Sequence, residues 1–401
     1  MVAGASGEQR AKEGLLKALS AATFVVFFQA YMVAPLIPRL AGSFGVGEER
    51  MGLIVPAYLF PYGISTLFFG LLSDRLGRRR IMLGSLGAFV VLTALTATSR
   101  TAEQMTLWRL VTGLGASGVV PLALALVADL FPFEKRGRPL GWLFGAMAGG
   151  SALGSTVGVV VEPFIGWRAL FVGVAALGAL LFLALRPYAA LIGTKAASTG
   201  LSLGQVMAGY RELLLNARGL RTYGFVLINA TFHAGVFTWL GLYLSRRYGL
   251  SEVGIGLALL GYGVPGFLLG PVIGRAADRW GRRWLIPVGL AVGAVGAALL
   301  VPDVPLVAAA LAITVLSLGY DMTQPLLAGI VTALGGKRAG QAMGLNVFTL
   351  FTGFGLGSLL FGRLLSSGLD TTLIVFCSAQ FLLAVAGAVL FRHESQARVP
   401  T

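Results

Sequence analysis

The sequence predicts an all-α membrane protein of twelve transmembrane helices, arranged as two pseudo-symmetric six-helix halves. Three observations carry that prediction. Of 401 residues, 56% are hydrophobic and only 12% charged, against about 25% charged in a soluble domain, and mean hydropathy is +0.84. The apolar residues come in runs that can cross a bilayer, which takes about 20 residues per helix; one such run, Leu110 to Leu130, has no charge before Asp129. Finally, the decapeptide GLLSDRLGRR at 70–79 returns as GRAADRWGRR at 274–283, an offset of 204 residues.

Cutting the chain at its charged and Pro/Gly breaks puts the spans at about 14–38, 51–72, 81–98, 104–131, 139–162, 168–186, 220–245, 253–274, 285–301, 306–334, 341–364 and 372–391. The first 13 residues are polar. The run that follows is too long for a signal-peptide core and lacks a small-residue cleavage site, so it is expected to stay as the first span. Span 2 ends in the first decapeptide, a charged turn that cannot sit in lipid, and span 3 leaves it. Span 4 holds an arginine within an apolar run, Arg109, followed by Gly113 and Gly115. Span 5 spaces Gly150, Gly154 and Gly158 four apart, which puts small residues on one helix face for close packing. Span 6 follows the Trp167-Arg168 turn. The connection from Arg186 to Arg221 is long, and its stretch Leu203 to Leu215 is amphipathic, as expected of a helix on the inner membrane surface. Span 7 brings Asn229 and His233. Span 8 repeats the glycine spacing at Gly266, Gly270 and Gly274, and span 9 leaves the second decapeptide. Span 10 gathers polar residues on one face, and spans 11 and 12 close the bundle.

The net charge of +15 does not indicate nucleic acid, because Lys and Arg sit in short loops rather than on a basic face with interleaved aromatics. One side of the predicted membrane collects most of them, including Arg10, Lys12, Arg75, Arg78, Arg79, Arg80, Lys135, Arg136, Arg138, Arg279, Arg282, Arg283, Lys337 and Arg338. The other holds Arg39, Arg50, Arg100, Arg168, Arg246 and Arg247. Basic loops stay in the cytoplasm, which places both termini and both decapeptides inside, in a multi-pass plasma (inner) membrane protein. Cys377 is the single cysteine, so neither an intramolecular disulfide nor a cysteine metal site is expected.

The repeat extends beyond the decapeptide. At the same offset Gly45 matches Gly249, Glu48 matches Glu252, Tyr58 matches Tyr262, Pro61 matches Pro265, Gly115 matches Gly319, and Pro121-Leu122 matches Pro325-Leu326. A constant offset across four spans means two copies of one six-helix unit. The divisions are residues 1–186, a cytoplasmic linker at 187–219, and 220–401. Two such halves with a site between them near the midplane form the architecture of a rocking transporter.

Here the residues resemble the major facilitator superfamily over essentially the whole chain, closest in pattern to its 12-span drug/metabolite:proton antiporter branch. That family carries G-x-L-x-D-R-x-G-R-R between helices 2 and 3, and Gly70 to Arg79 fits every position, with a weaker copy at Gly274 to Arg283. The resemblance implies a gating latch at the cytoplasmic ends built from Gly70, Asp74, Arg75, Gly77, Arg78 and Arg79, with Asp129 as a partner for Arg75 or Arg78. Gly274, Asp278, Arg279, Gly281 and Arg282 form its second copy. A second family motif, R-x-x-x-G-x-G, appears as Arg109, Gly113 and Gly115. An arginine so placed is costly in lipid and reads as buried and functional, although its position near the outer end also allows snorkelling. The exporter motif G-P-x-x-G-G is incomplete at Gly154 to Val159, whereas Trp167-Arg168 with Phe171 resembles the drug-exporter turn.

In this family helices 1, 4, 7 and 10 line the substrate path. On them lie Gln29 and Tyr31; Ser117; Asn229 and His233; and Thr314, Ser317, Asp321 and Gln324, which share one face. The repeat pairs Gln29 with His233 and Ser117 with Asp321. His233 suits either an interhelical hydrogen bond or proton handling; Gln29, Asn229 and Gln324 suit interhelical contacts or substrate. Glu103 and Glu162, near span ends, are expected to be solvated. Asp321, midway along span 10, is the expected proton-coupling acid, with His233 and Arg109 as further members of that set.

The expected function is export of small organic molecules by proton-coupled alternating access, with a neutral or cationic, partly apolar substrate. Uptake by symport or uniport is the alternative; a membrane-embedded enzyme or receptor is the rival of another class. No Walker A motif and no His/Asp/Glu metal cluster is present in the sequence, so the proton gradient is the expected energy source, without cofactor or metal. The expected partners are the lipid bilayer, a small-molecule substrate and protons, with no nucleic acid, for a monomer.

Overall fold

The computed structural model describes residues 2–131, 137–193, 203–265, 269, 273, 282–336, 339–392 and 394; within its helices the side chains at 2–7, 70–71, 74–75, 128–129, 137–138, 140–141, 144, 203 and 339–340 fall outside that description. α1 (Val2–Tyr31) runs through a 3-10 turn at Ala34–Leu36 into α2 (Ile37–Phe44), which stops at Gly45. α3 (Glu48–Gly52) leads into α4 (Pro56–Leu76), whose first residue is a proline, placed where a helix does not need its N–H. Gly77 turns the chain into α5 (Arg78–Ala97). α6 (Ala102–Ala116) is capped by the Thr101 hydroxyl, which accepts from the Gln104 N–H, and α7 (Val119–Leu130) follows it. α8 (Gly137–Leu185) contains two spans that fold back at Gly166, where φ is 78°.

The second copy follows the same plan. After α9 (Ala189–Ile192) and α10 (Leu203–Leu215), Asn216 caps α11 (Ala217–Tyr248). α12 (Glu252–Ala258), α13 (Arg282–Ala298), α14 (Leu306–Gly335), α15 (Ala339–Leu364) and α16 (Leu369–Leu390) complete the order. Gly45 and Gly249, equivalent in the repeat, end α2 and α11 in the same left-handed conformation, with φ of 64° and 63°. Glycine enters that region without a side-chain penalty. Nine helical segments among the described residues are long and apolar enough to cross a membrane. One of them is the double span of α8, the eighth span falls partly on undescribed residues, and the ninth is the 17-residue α13. Twelve spans result.

Besides spans 1 and 2, interrupted at the 3-10 turn Ala34–Leu36 and at residues 53–55, spans 4 and 8 are broken rather than continuous. Span 4 parts at Ser117–Gly118, where the Gly118 N–H donates to Ser85 Oγ on α5 at 3.1 Å. Span 8 leaves helical geometry after Ala258, and the Gly263 N–H donates to Ser317 Oγ on α14 at 2.9 Å. In both cases a serine on a neighbouring helix takes a backbone N–H; Gly263 has a φ of 79°, which glycine tolerates, whereas Gly118 stays right-handed and leaves room for the Phe69 ring.

Small residues set the helix contacts, as in membrane bundles generally. A Cβ at Gly150, Gly154 or Gly158 would lie 2.5, 2.5 or 2.8 Å from Phe24, Phe28 or Met32 of α1, so the glycine face of α8 is the seat of the first span. Across the halves, α4 packs on α15 and α8 packs on α12. At the end that holds few basic residues, Gly52 admits the Trp239 ring and Gly256 admits Val160 and the Thr156 carbonyl. Gly52 and Gly256 are equivalent under the repeat, so one close approach is made twice. An Arg246–Glu48 ion pair joins the halves beside them. Exposed Leu180, Leu183, Val307 and Leu382 on the perimeter are the lipid-facing surface.

Candidate functional site

The halves meet along an aromatic seam. Tyr62 of α4 stacks on Phe351 of α15 with centroids 4.4 Å apart, and Phe27 meets the same Phe351 at 6.3 Å. Tyr31 meets Phe237 of α11 at 5.6 Å, and Phe237 meets Tyr262 at 4.3 Å. His233 lies flat on Tyr320 of α14, 3.8 Å between centroids and 19° between planes. Phe354 closes the seam against Tyr320 and Phe351. Sequence reasoning placed Tyr31 and His233 here. It passed over Tyr58, Tyr62, Tyr262, Tyr320 and Phe351, although the Tyr58–Tyr262 match in the repeat was a usable signal.

Arg109 is fully buried and does not snorkel. Its Nε donates to the Ile54 carbonyl at 3.2 Å, Nη1 to Gln29 Oε1 at 2.9 Å, and Nη2 to the Ala30 carbonyl at 3.3 Å. The guanidinium carbon lies 4.3 Å from the Tyr58 ring centre, a cation–π contact. No carboxylate pairs with Arg109 among the described residues. Gly113, one helical turn on, lets α6 approach the Tyr58 carbonyl closely enough to bring these groups together.

In the second half, the Tyr262 hydroxyl and His233 Nε2 are hydrogen-bonded, and His233 Nδ1 is buried with no partner among the described residues. Asp321 is half-buried and its Oδ2 accepts from Ser317 Oγ at 3.2 Å. The polar face of α14 is covered by the broken part of span 8: Thr314 lies against Gly261, and Ser317 accepts from Gly263. Asn229 is engaged within its own half, donating to Thr323 Oγ1 at 2.9 Å and accepting from Gln380 Nε2 at 2.8 Å. Gln324 is half-buried, and Ser117 is buried with its hydroxyl donating to the Leu114 carbonyl at 3.0 Å.

Other positions divide. Glu103 pairs with Arg50 at the surface, as a solvated acid should. Glu162 is not solvated: its side chain is 1% exposed, because the end of span 5 is covered by α2, and Arg39 Nε donates to it at 3.3 Å. Gly77, Arg78, Arg79 and Arg282 are described, Gly77 as the φ 89° turn between α4 and α5. The side chains of Gly70, Asp74, Arg75 and Asp129, and all of Gly274, Asp278, Arg279 and Gly281, lie outside the described residues. The amphipathic stretch is the helix α10, held to α15 by Gln341 Nε2 donating to the Val206 carbonyl at 2.7 Å. Past α16, Glu394 accepts from Arg218 Nε at 2.8 Å and from Arg221. Burial pushes its carboxyl up, but the two arginines outweigh that and hold it below the usual carboxylate range.

Comparison with known proteins agrees with this geometry. The family model described as Major Facilitator Superfamily matches residues 19–254 and 222–401. The uncharacterized MFS-type transporter YceJ of Bacillus subtilis is 29% identical over 350 residues, covering 86% of this chain and 87% of that one. The quinolone resistance protein NorA of Staphylococcus aureus is 25% identical over 385 residues, covering 94% and 95%. The crystal structure of a bacterial homologue of the human lysosomal transporter Spinster superposes with a TM-score of 0.70 at 18% identity, covering 96% and 95%.

Proposed function

The chain belongs to the major facilitator superfamily, among transporters of the drug-efflux type, and we propose that it exports small organic molecules by proton-coupled alternating access. The halves 1–186 and 220–401, joined by the linker 187–219, rock about the aromatic seam. The cargo is neutral or cationic and partly apolar, of the kind that stacks on Tyr and Phe rings. The protein sits in the plasma (inner) membrane as a monomer with both termini in the cytoplasm, and the proton gradient supplies the energy without a cofactor. The decapeptides latch the cytoplasmic ends of the halves, Asp74 and Asp278 being the charges that hold them.

One observation carries the reading: Asp321, midway along α14, is hydrogen-bonded by Ser317 one turn away and borders the seam through Tyr320 and the Gly263 turn. A carboxylate at mid-bilayer costs about 2.5–3.5 kcal/mol even on lenient insertion scales. Such a group persists where its proton is exchanged. The relative named for quinolone resistance favours export over uptake.

The test is Asp321→Asn in proteoliposomes. The variant keeps shape and hydrogen bonding but cannot cycle a proton, so it should exchange substrate down its gradient and fail to accumulate it with a pH gradient. Undiminished pH-driven accumulation would move the coupling to another group, first of all His233. Proton uptake in place of proton release on substrate addition would reverse the direction of transport.

A further inference from the structure

A backbone N–H that leaves helical geometry inside a bundle must find another acceptor. After Ala258, span 8 turns through shorter bonds: the Leu260 N–H donates to the Leu257 carbonyl at 3.2 Å and the Tyr262 N–H to the Leu259 carbonyl at 2.9 Å. At Gly263, where φ is 79°, that run ends and the N–H goes to Ser317 Oγ of α14 instead. A serine hydroxyl has one proton and can accept while it donates. The helical default for that proton is the carbonyl one turn back, as Thr314 shows by donating to the Ala310 carbonyl at 3.0 Å. Ser317 gives its proton forward, to Asp321 Oδ2 at 3.2 Å. One hydroxyl, on a residue 2% exposed, therefore joins the acid to the turn. The turn in its place rests on the other half: a Cβ at Gly263 would lie 2.9 Å from Ala152 Cβ of α8.

The first half makes the same backbone approach without this link. At the 204-residue offset Ser317 is equivalent to Gly113, Asp321 to Ser117 and Gly263 to Leu59. Gly113 lies against the Tyr58 carbonyl, and the Leu59 N–H keeps an acceptor within its own helix, the Val55 carbonyl at 3.1 Å. Acid, bridging hydroxyl and open turn thus occur together in one half and are missing together from the equivalent positions of the other. The Ser85 clip at the break of span 4 also contains no acid: its hydroxyl accepts from the Gly118 N–H and donates to the Gly115 carbonyl.

A hydrogen bond to an ionised carboxylate is about twice as strong as one to a neutral group. A hydroxyl that donates to a charge also becomes a better acceptor for its other partner. Ionised Asp321 therefore strengthens both bonds of Ser317, and a protonated carboxyl weakens both. The titratable side chains that face Asp321 are Tyr262 of span 8 and Tyr320 of α14, with Tyr31 of α1 and His233 of α11 beside them. We propose that Ser317 is a positioning residue that transmits the charge of Asp321 to span 8: ionised Asp321 holds the Gly263 turn against Ala152 of the first half, and protonation lets the turn relax. This rests on the reading above that Asp321 carries the coupled proton, and it adds the route by which its charge acts on the boundary between the halves.

The experiment is hydrogen–deuterium exchange of the purified full-length protein, read as protection factors for residues 259–265 so that the intrinsic pH dependence of exchange is removed. In wild type, protection should fall about tenfold from about pH 8 to about pH 5, the difference between a charged and a neutral hydrogen-bond acceptor. Ser317→Ala should show low protection with no pH response, and Ser317→Thr, which keeps the hydroxyl, should restore both. Ser85→Ala, which removes a clip without an acid, should lower protection around Gly118 equally at every pH and leave residues 259–265 as in wild type. A wild-type segment with no pH response overturns the proposal without any variant, so the test holds even where Ser317→Ala fails to fold. A response that survives in Ser317→Ala overturns it too; if Asp321→Asn abolishes that same response, the Asp321 reading stands and only Ser317 is wrong. A response that survives in Asp321→Asn puts the proton elsewhere, and both readings fail.

Discussion

Replacing Gly154 with alanine adds one methyl group at the contact that seats the first span. The new Cβ would lie 2.5 Å from the Phe28 carbonyl oxygen, 2.9 Å from its Cα and 3.1 Å from its carbonyl carbon, all backbone atoms that cannot rotate away. Ordinary carbon contacts begin near 3.5 Å, so α1 and α8 must separate by about 1 Å. A gap of that size forfeits about a quarter to a half of each dispersion contact along the pair, and overpacking of this kind costs about 1–3 kcal/mol. Alanine's better helix propensity returns at most about 1 kcal/mol, so net destabilisation of about 1–2 kcal/mol is expected. The neighbour supplies the control: a Cβ at Gly149 comes no closer than 3.7 Å to the Phe24 ring, so Gly149→Ala gains propensity without a clash. Thermal unfolding in detergent should place Gly154→Ala a few degrees below wild type and Gly149→Ala at or above it. Transport should fall with the first variant only, because Gln29, the acceptor for Arg109, follows Phe28 on the displaced helix. Equal melting temperatures for the two variants would refute the claim that this glycine face holds span 1.

Arg109→Lys should lose coupled transport and be no more stable than Arg109→Met, since lysine keeps the buried charge but lacks the fork that reaches Ile54, Gln29 and Ala30 together; full activity of the lysine variant in a pH-driven uptake assay would contradict this. Glu394→Gln should lower the melting temperature at pH 7. The Glu394 carboxyl is held below its ordinary value, so its contribution is complete above about pH 4.3 and is lost as pH falls through the depressed folded value. The difference between wild type and variant should therefore shrink as the pH is lowered below about 4.3, and a constant difference on acidification would argue against the Arg218–Glu394–Arg221 clamp.

The sequence by itself determined the membrane class, the twelve spans and the duplication, because these depend on composition, run length and a constant offset, all properties along one dimension. It also identified Arg109 as buried and the Gly150–Gly154–Gly158 face as a packing surface, since the cost of charge in lipid and helical periodicity are local. It did not show that Glu162 is covered, that Asn229 is bound to Thr323 and Gln380, or that spans 4 and 8 are broken. Each of these depends on what a neighbouring helix presents: Arg39 from α2, Gln380 from α16, and Ser85 and Ser317 taking the N–H groups of Gly118 and Gly263. The aromatic seam was illegible for the same reason. Tyr62 and Phe351 read as ordinary apolar-run residues, and only the packing of α4 on α15 makes them a boundary between the two halves. The Ser317 link between Gly263 and Asp321 belongs wholly to the tertiary structure, because the partners of a hydroxyl are a property of the surroundings and not of the residue.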